Sequence, residues 1–261
     1  MKITFLGTSH GMCEKGQFCS SAAVTVGDRS YIIDAGAPIM CLLKNYDIPY
    51  TSVGGIFITH SHQDHYMGLV EFIGQIEDFD RFKDVRIKVH VPPEFPSKSI
   101  NTFLFGNPEG IFRPVPGGCR TDENDTGRRV DFVTYPDGVI FDDGRMKITS
   151  IPVRHTEHAH SFLLEAEGKR VLFTGDLLTD FADYPAVLTE DGVDLLIIEA
   201  AHTRLNKKQN VELFRRTKTK MMTVTHRNAL LNTDEIIAEV TSALSDLYPV
   251  DLACDGRVIE L

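Results

Sequence analysis

The chain has 261 residues, 42% hydrophobic and 25% charged, with 20 Gly and 12 Pro. That balance is globular, with ample apolar material for a core, and it excludes fibres, coiled coils and disordered tails. Lys and Arg number 27 against 37 Asp and Glu, a formal net charge of −10, which repels polyphosphate at long range and argues against a general nucleic-acid coat protein. The length allows one large domain or two intimately joined halves, and a single domain over 1–261 is expected. The N-terminal MKITFLG reads as a first strand and not as a signal peptide, and no stretch approaches the ~20 apolar residues of a membrane helix. The five cysteines, Cys13, Cys19, Cys41, Cys119 and Cys254, are odd in number and contain no C-x-x-C pair. A reducing, cytoplasmic setting without membrane association is therefore expected.

Along the chain, β-type runs alternate with helical patterns and no fixed-period repeat occurs, which predicts an α/β fold. Strands rich in Val, Ile, Phe and Thr are expected over 2–6, 22–26, 30–33, 55–59, 85–91, 147–153, 161–165, 171–174, 195–199 and 221–225. The runs 22–26 and 30–33 flank Gly27-Asp28 as a hairpin would. Helices are expected over 39–46, 65–76 and 206–216, and again after Thr233. In the last of these, Ile236, Ile237, Val240, Ala243, Leu244 and Leu247 make one apolar face that Pro249 stops. The segment 92–143 breaks every period with Pro92-Pro93, Pro96, Pro108, Pro114, Pro116-Gly117-Gly118 and a polar run over 121–129. It reads as an irregular insertion, either a substrate-facing flap or a strand extension of no consequence.

The chemistry concentrates in Gly54-Gly55-Ile-Phe-Ile-Thr-His60-Ser-His62-Gln-Asp64-His65, where an apolar strand runs into three histidines and an aspartate. At a strand end alternate residues point alike, so His60 and His62 can grip one cation. Asp64 and His65 then supply a carboxylate and an imidazole for a second cation nearby. Other apolar runs end in Arg154-His155, Gly175-Asp176 and Thr225-His226, and a site at a sheet edge collects side chains from several strand ends. The run Arg154-His155-Thr-Glu-His158-Ala-His160 offers three imidazoles where one ligand suffices.

The H-x-H-x-D-H box, the later His, the Gly-Asp after an apolar strand and the final Thr-His resemble the metallo-β-lactamase superfamily of two-metal hydrolases, across nearly the whole chain. Within it, GTSHGMCEKGQFCSS, YIIDAG and GIFITHSHQDHYMGL look like the branch holding ribonuclease Z and the phosphonate-pathway phosphodiesterases. The resemblance implies a four-layer αβ/βα sandwich with the site at one edge between two β-sheets. On matching positions, His60, His62 and His155 would hold a first metal, Asp64, His65 and His226 a second, and Asp176 would bridge them. His155 is preferred to His158 and His160 because it comes first after its strand.

Two divalent ions are implied, Zn before Mn or Fe, and water between them would become hydroxide near neutral pH. Asp64 would orient that hydroxide as well as bind metal. His202, three residues after Glu199, is the choice for protonating a leaving alkoxide, with His158 and His160 as alternatives and a plain loop His against Glu199 as the bland reading. The expected reaction is hydrolysis of a phosphodiester, in a small diester, a cyclic nucleotide or nucleic acid. A small anionic substrate is favoured over tRNA, because the basic arm of ribonuclease Z is not recognisable and the Asp34-Ala-Gly36-Ala37 turn lacks that family's acid. An acyl hydrolase of a lactone, thioester or lactam is the alternative. A non-enzymatic metal-binding protein is disfavoured because no ligand is missing. A homodimer is allowed by the sequence without being specified.

Overall fold

Strands β1 (Lys2–Gly7), β2 (Ser21–Val26) and β3 (Arg29–Ala35) are buried along almost their whole length. Near-continuous apolar strands need cover on both faces, a second sheet on one side and helices on the other. The computed structural model, which describes residues 1–113, 118–120, 127–202, 204–228, 230 and 233–261, supplies both. The first sheet continues through β4 (Val53–Phe57), β5 (Ile87–Val91) and β6 (Val130–Thr134), and β14 (Val258–Glu260) closes its other edge, giving the order β14-β1-β2-β3-β4-β5-β6. The second runs through β7 (Gly138–Asp142), β8 (Lys147–Val153), β9 (Ala159–Ala166), β10 (Lys169–Phe173), β11 (Leu195–Glu199), β12 (Met222–Thr225) and β13 (Val250–Leu252), in the order β13-β12-β11-β10-β9-β8-β7.

The two halves repeat one plan. Antiparallel pairs come first, β1 through β3 and β7 through β10. Parallel pairs follow, β3 through β6 and β10 through β13. Parallel neighbours require crossovers. In the first half these contain α1 (Ile39–Asn45), α2 (Gly68–Asp78) and α3 (Ser97–Phe105), and in the second α4 (Val187–Glu190), α5 (Lys208–Phe214) and α6 (Thr233–Leu244).

Adjacent strand residues point to opposite layers. Ile33, Phe57 and Ile197 face the core between the sheets with Phe5, Phe162 and Phe173. Their neighbours Ile32 and Ile56 pack against Leu42, Phe72 and Ile73 under α1 and α2. On the other side Leu196 and Ile198 pack with Phe214, Ile237 and Val240. Helix, sheet, sheet and helix thus form the four layers that the resemblance implies.

Several boundaries differ from the sequence expectation. The strand expected over 85–91 starts at Ile87, because Val85 closes a turn by donating to the Phe82 carbonyl. The helix expected from His65 starts at Gly68, preceded by a separate 3-10 turn over Gln63–His65. The helix expected over 206–216 is Lys208–Phe214. Segment 92–143 is more regular than its prolines suggest: it holds α3 and the edge strands of both sheets, β6 and β7. A buried charge anchors its return to the first sheet. Glu77 Oε1 accepts from Arg128 Nε (3.1 Å), Arg129 N (3.0 Å) and Val130 N (2.9 Å), and Arg129 Nη1 donates to the Ile76 and Phe79 carbonyls at the end of α2. Parts of the segment, 114–117 and 121–126, lie outside the described residues. Among the described residues, no helix is long and apolar enough to cross a membrane.

Phe162, fully buried between the sheets, tests this packing. Phe162→Ala is expected to cost about 3–5 kcal/mol of unfolding free energy, read in urea as a lower midpoint at unchanged slope.

Candidate metal centre

The centre is assembled where parallel strands of both sheets end, the edge at which open α/β sheets place ligands. Beyond β4, the chain through Ile58 and Thr59 is clamped across the sheet gap. Tyr135 Oη donates to the Ile58 carbonyl (2.7 Å) and the His160 amide to the Thr59 carbonyl (3.0 Å). His60 follows on this fixed stem and is fully buried, its ring centroid 4.7 Å from that of His62 and 5.0 Å from that of His155. The short 3-10 turn then brings Asp64 and His65 inward. This turn can lie so close only because residue 36 is Gly: a Cβ there would sit 1.7 Å from the Asp64 carbonyl oxygen. From the second sheet, Asp176 leaves β10 through Gly175 at φ +58, and His226 ends β12 at φ 56, a left-handed turn in place of strand continuation.

One ligand atom from each of His60, His62, His155 and Asp176 falls within 4.8 Å of the others, and the same holds for Asp64, His65 and His226. Asp176 faces both groups. Its Oδ2 lies 3.7 Å from His60 Nε2, 3.5 Å from His155 Nε2 and 3.3 Å from His226 Nε2, while Oδ1 lies 3.5 Å from His65 Nε2. The structure therefore brings together every residue that the sequence proposed as a ligand. His202 is there too, its Nδ1 3.4 Å from Asp176 Oδ2 and 3.6 Å from Glu199 Oε2, and it forms a third possible ligand group with Asp176 and His226. His160 turns elsewhere, its Nε2 paired with Asp137 Oδ1 at 2.8 Å. Neither it nor His158 joins a ligand group among the described residues.

The donor set fits metal on a further test. His60 Nε2, His65 Nε2, His226 Nε2 and Asp176 Oδ1 are buried and have no hydrogen-bond partner among the described residues. Buried polar atoms are normally paired. The opposite nitrogen of each ring is engaged: His65 Nδ1 with Asp34 Oδ2 (2.8 Å), His226 Nδ1 with Ser20 Oγ (2.8 Å) and His60 Nδ1 with Thr59 Oγ1 (3.1 Å). Imidazoles fixed through one nitrogen and free at the other are oriented as metal ligands are, and nitrogen with carboxylate suits Zn, Mn or Fe.

Burial and neighbouring charges set the protonation of these groups. Burial and then the neighbouring His65 hold His60 well below the ordinary histidine pKa. Burial, chiefly, brings His155 down to about 4. Burial opposes ionisation of Asp176, yet His226 and His65 outweigh it and keep the carboxyl well below its usual range. His65 is raised, because Asp176 and Asp34 overcome its burial. His202 is raised first by its hydrogen bond to Glu199, against its burial.

Two supporting residues were not singled out from sequence. Asp34, at φ 57 at the end of β3, accepts from Thr59 N (2.8 Å) and Thr59 Oγ1 (3.0 Å) while it holds His65. The strand-terminal YIIDAG was its one available signal. Ser20, one of two adjacent serines, carried none. An open cleft of about 520 Å³ adjoins the centre, with Gly36, Ser61, Gln63, Asp64, Tyr66 and Met67 in its wall.

Asp34→Asn replaces one accepting oxygen with a donor while tolerating the left-handed backbone. Metal affinity is expected to fall about 10- to 100-fold, measured by competition against a chromogenic chelator, with circular dichroism unchanged.

The family of the anti-Pycsar protein Apyc1 matches residues 1–235 of the chain. Ribonuclease Z of Synechococcus sp. is 26% identical over 183 residues, 67% of this chain and 52% of that protein. The chain spans about half the length of this and other curated relatives. Among solved structures, the metallo-β-lactamase fold protein YhfI from Bacillus subtilis superposes with a TM-score of 0.70 at 18% identity, covering 99% of each chain. A diphosphatase from the PhnP family gives 0.67 at 18% identity, covering 100% of this chain and 97% of that one. The fold is thus the metallo-β-lactamase fold, and the chain belongs to the family of the anti-Pycsar protein Apyc1.

Proposed function

We propose that the chain is a phosphodiesterase with a dinuclear metal centre, acting on small anionic diesters such as cyclic nucleotides. The observation that carries this reading is Asp176, whose carboxylate lies 3.3 to 3.7 Å from imidazoles of both ligand groups. His60, His62 and His155 would hold one ion, Asp64, His65 and His226 the other, with Asp176 shared. Two divalent cations, Zn or alternatively Mn or Fe, would supply acid activation of water and neutralise the charge of the attacked phosphate.

The remaining chemistry falls to the chain itself. Asp64 Oδ2 lies 3.7 Å from both His65 Nε2 and His226 Nε2. It borders the open cleft, where it can accept a proton from attacking water and fix that water's direction. Like His62, His202 is an exposed imidazole of the cluster, with 39% of its side chain exposed. Glu199 favours its protonated form, so it can hold a proton at Nε2 for the departing alkoxide. Ser61 and Gln63 in the cleft wall offer neutral hydrogen-bond partners to the rest of the substrate.

Charge selects the size of the substrate. Cations at the centre would locally reverse the field of a −10 chain, enough to draw in a small diester, whereas a folded RNA needs an extended basic footprint. That reading sets the chain apart from the nuclease named among its relatives.

The test is a hydrolysis panel on protein stripped with chelator and reloaded with Zn²⁺ or Mn²⁺. An activated aryl diester and a cyclic nucleotide should turn over with a shallow salt dependence, and precursor tRNA should be cleaved little. Asp176→Ala should lose more than about 100-fold, beyond what outer partners of metal ligands contribute. Lactone, thioester or lactam hydrolysis with no diester turnover under several metals would replace this reading with an acyl hydrolase.

A further inference from the structure

The loop between β1 and β2 forms part of the cleft wall and is tied at its stem to the C-terminal segment. Asp255 accepts from Thr8 Oγ1 and from Phe18 N, both at 2.7 Å, and thereby ties the two ends of the loop to the C-terminal segment. Ser9 N donates to the Phe18 carbonyl (2.8 Å), and Arg227, next to His226, pairs with Thr8 and His10 through backbone bonds. Beyond this stem, the side chain of Ser9 bridges to Met12 O (3.0 Å) and Glu14 N (3.3 Å), and Gln17 N donates to Glu14 O (3.0 Å). The tip closes on the metal centre: a Cβ built at Gly11 would lie 3.5 Å from the Asp64 carboxylate.

Two thiols span this loop. Cys13 Sγ lies 3.0 Å from Cys19 Sγ, about 1 Å more than a disulfide bond. Cys13 is exposed, and Cys19 is half-buried in the cleft wall with Gly11, Gly36 and Asp64. We propose that Cys13 and Cys19 are a peroxide-responsive dithiol, and that its closure to a disulfide fixes the loop that walls the cleft. This does not depend on which bond the enzyme hydrolyses. Disulfides in reducing compartments are characteristically transient and redox-sensing.

The chemistry balances with hydrogen peroxide as oxidant. The Cys13 sulfur attacks one peroxide oxygen, the O–O bond breaks, and one water leaves with Cys13 as sulfenic acid. The Cys19 sulfur then displaces the sulfenic oxygen as a second water, forming the S–S bond. Two thiols give up two protons and two electrons, and the peroxide takes them to become two waters. The order of attack follows from environment. Burial first, and then the hydrogen bond with Cys13, push the Cys19 thiol up to about 12, so the exposed Cys13 reacts first and Cys19 resolves it. A small dithiol reverses the step by exchange.

The chain carries its own assay, because Lys15 lies between the two cysteines and trypsin separates them into peptides 3–15 and 16–29. The intact protein is treated with a few equivalents of hydrogen peroxide, alkylated and digested. The two peptides are expected joined, lighter by two hydrogens than their sum, and separated again after dithiothreitol. Cys41, Cys119 and Cys254 should remain alkylated thiols. Hydrogen exchange over residues 8–19 is expected to slow on oxidation, and Cys13→Ser should abolish both the cross-link and the slowing. The proposal is overturned if Cys13 proceeds to sulfinic acid while Cys19 stays alkylatable, if either cysteine joins a different one, or if exchange over the loop is unchanged in the cross-linked protein.

Discussion

Asp176 is a carboxylate with 2% of its side chain exposed, ionised among five imidazoles at 3.3 to 3.7 Å. A buried charge is tolerated only when it is paired and well solvated by its surroundings, so every element that delivers those imidazoles is tied to this one group. Gly175 turns it inward from β10, and Ser161 Oγ steadies the strand end by donating to the Thr174 carbonyl (2.6 Å). His226 reaches it through a left-handed residue, and His60 through a strand exit clamped by Tyr135 and the His160 amide. Cations at this position would complete the neutralisation that the imidazoles begin.

The repeated plan of the two halves explains how such a cluster can form without a dedicated scaffold. In each half the parallel strands carry their carboxyl ends toward the same edge, and packing the sheets face to face brings the two edges together. The first half contributes the His60–His65 turn and Asp34, the second Asp176, His202 and His226. The β1–β2 loop and the C-terminal Asp255 close one side of this edge. The stretch beyond residue 235, outside the family match, therefore still helps to build the cleft.

Ligand-type residues were legible in the sequence because coordination chemistry confines them to His and Asp, and because apolar runs marked the strand ends. His60, His62, Asp64, His65, Asp176 and His226 announce themselves in this way. His155 was separable from His158 and His160 only by its place first after a strand, and the structure turns the His160 ring toward Asp137. Asp34 and Ser20 were not legible in those roles, since their partners His65 and His226 lie 31 and 206 positions away and meet them only through the fold. Strands β6 and β7 escaped notice for a different reason. They are half-exposed edge strands carrying Asp131 and Asp142, and the return into β6 is fixed by the Glu77 carboxylate, which leaves no trace in an apolar pattern. Strands β13 and β14 are three residues each, too short for any period to show.

The central claim is that Asp176 is shared by two ions, each held by side chains from both halves of the fold. Anomalous scattering from crystals grown with Mn²⁺ or Zn²⁺, collected at the metal edge, tests it directly. The account predicts two peaks, one among His60, His62 and His155 and the other among Asp64, His65 and His226, with the Asp176 carboxylate between them. A single peak at saturating metal, or two peaks of which Asp176 contacts only one, would contradict it.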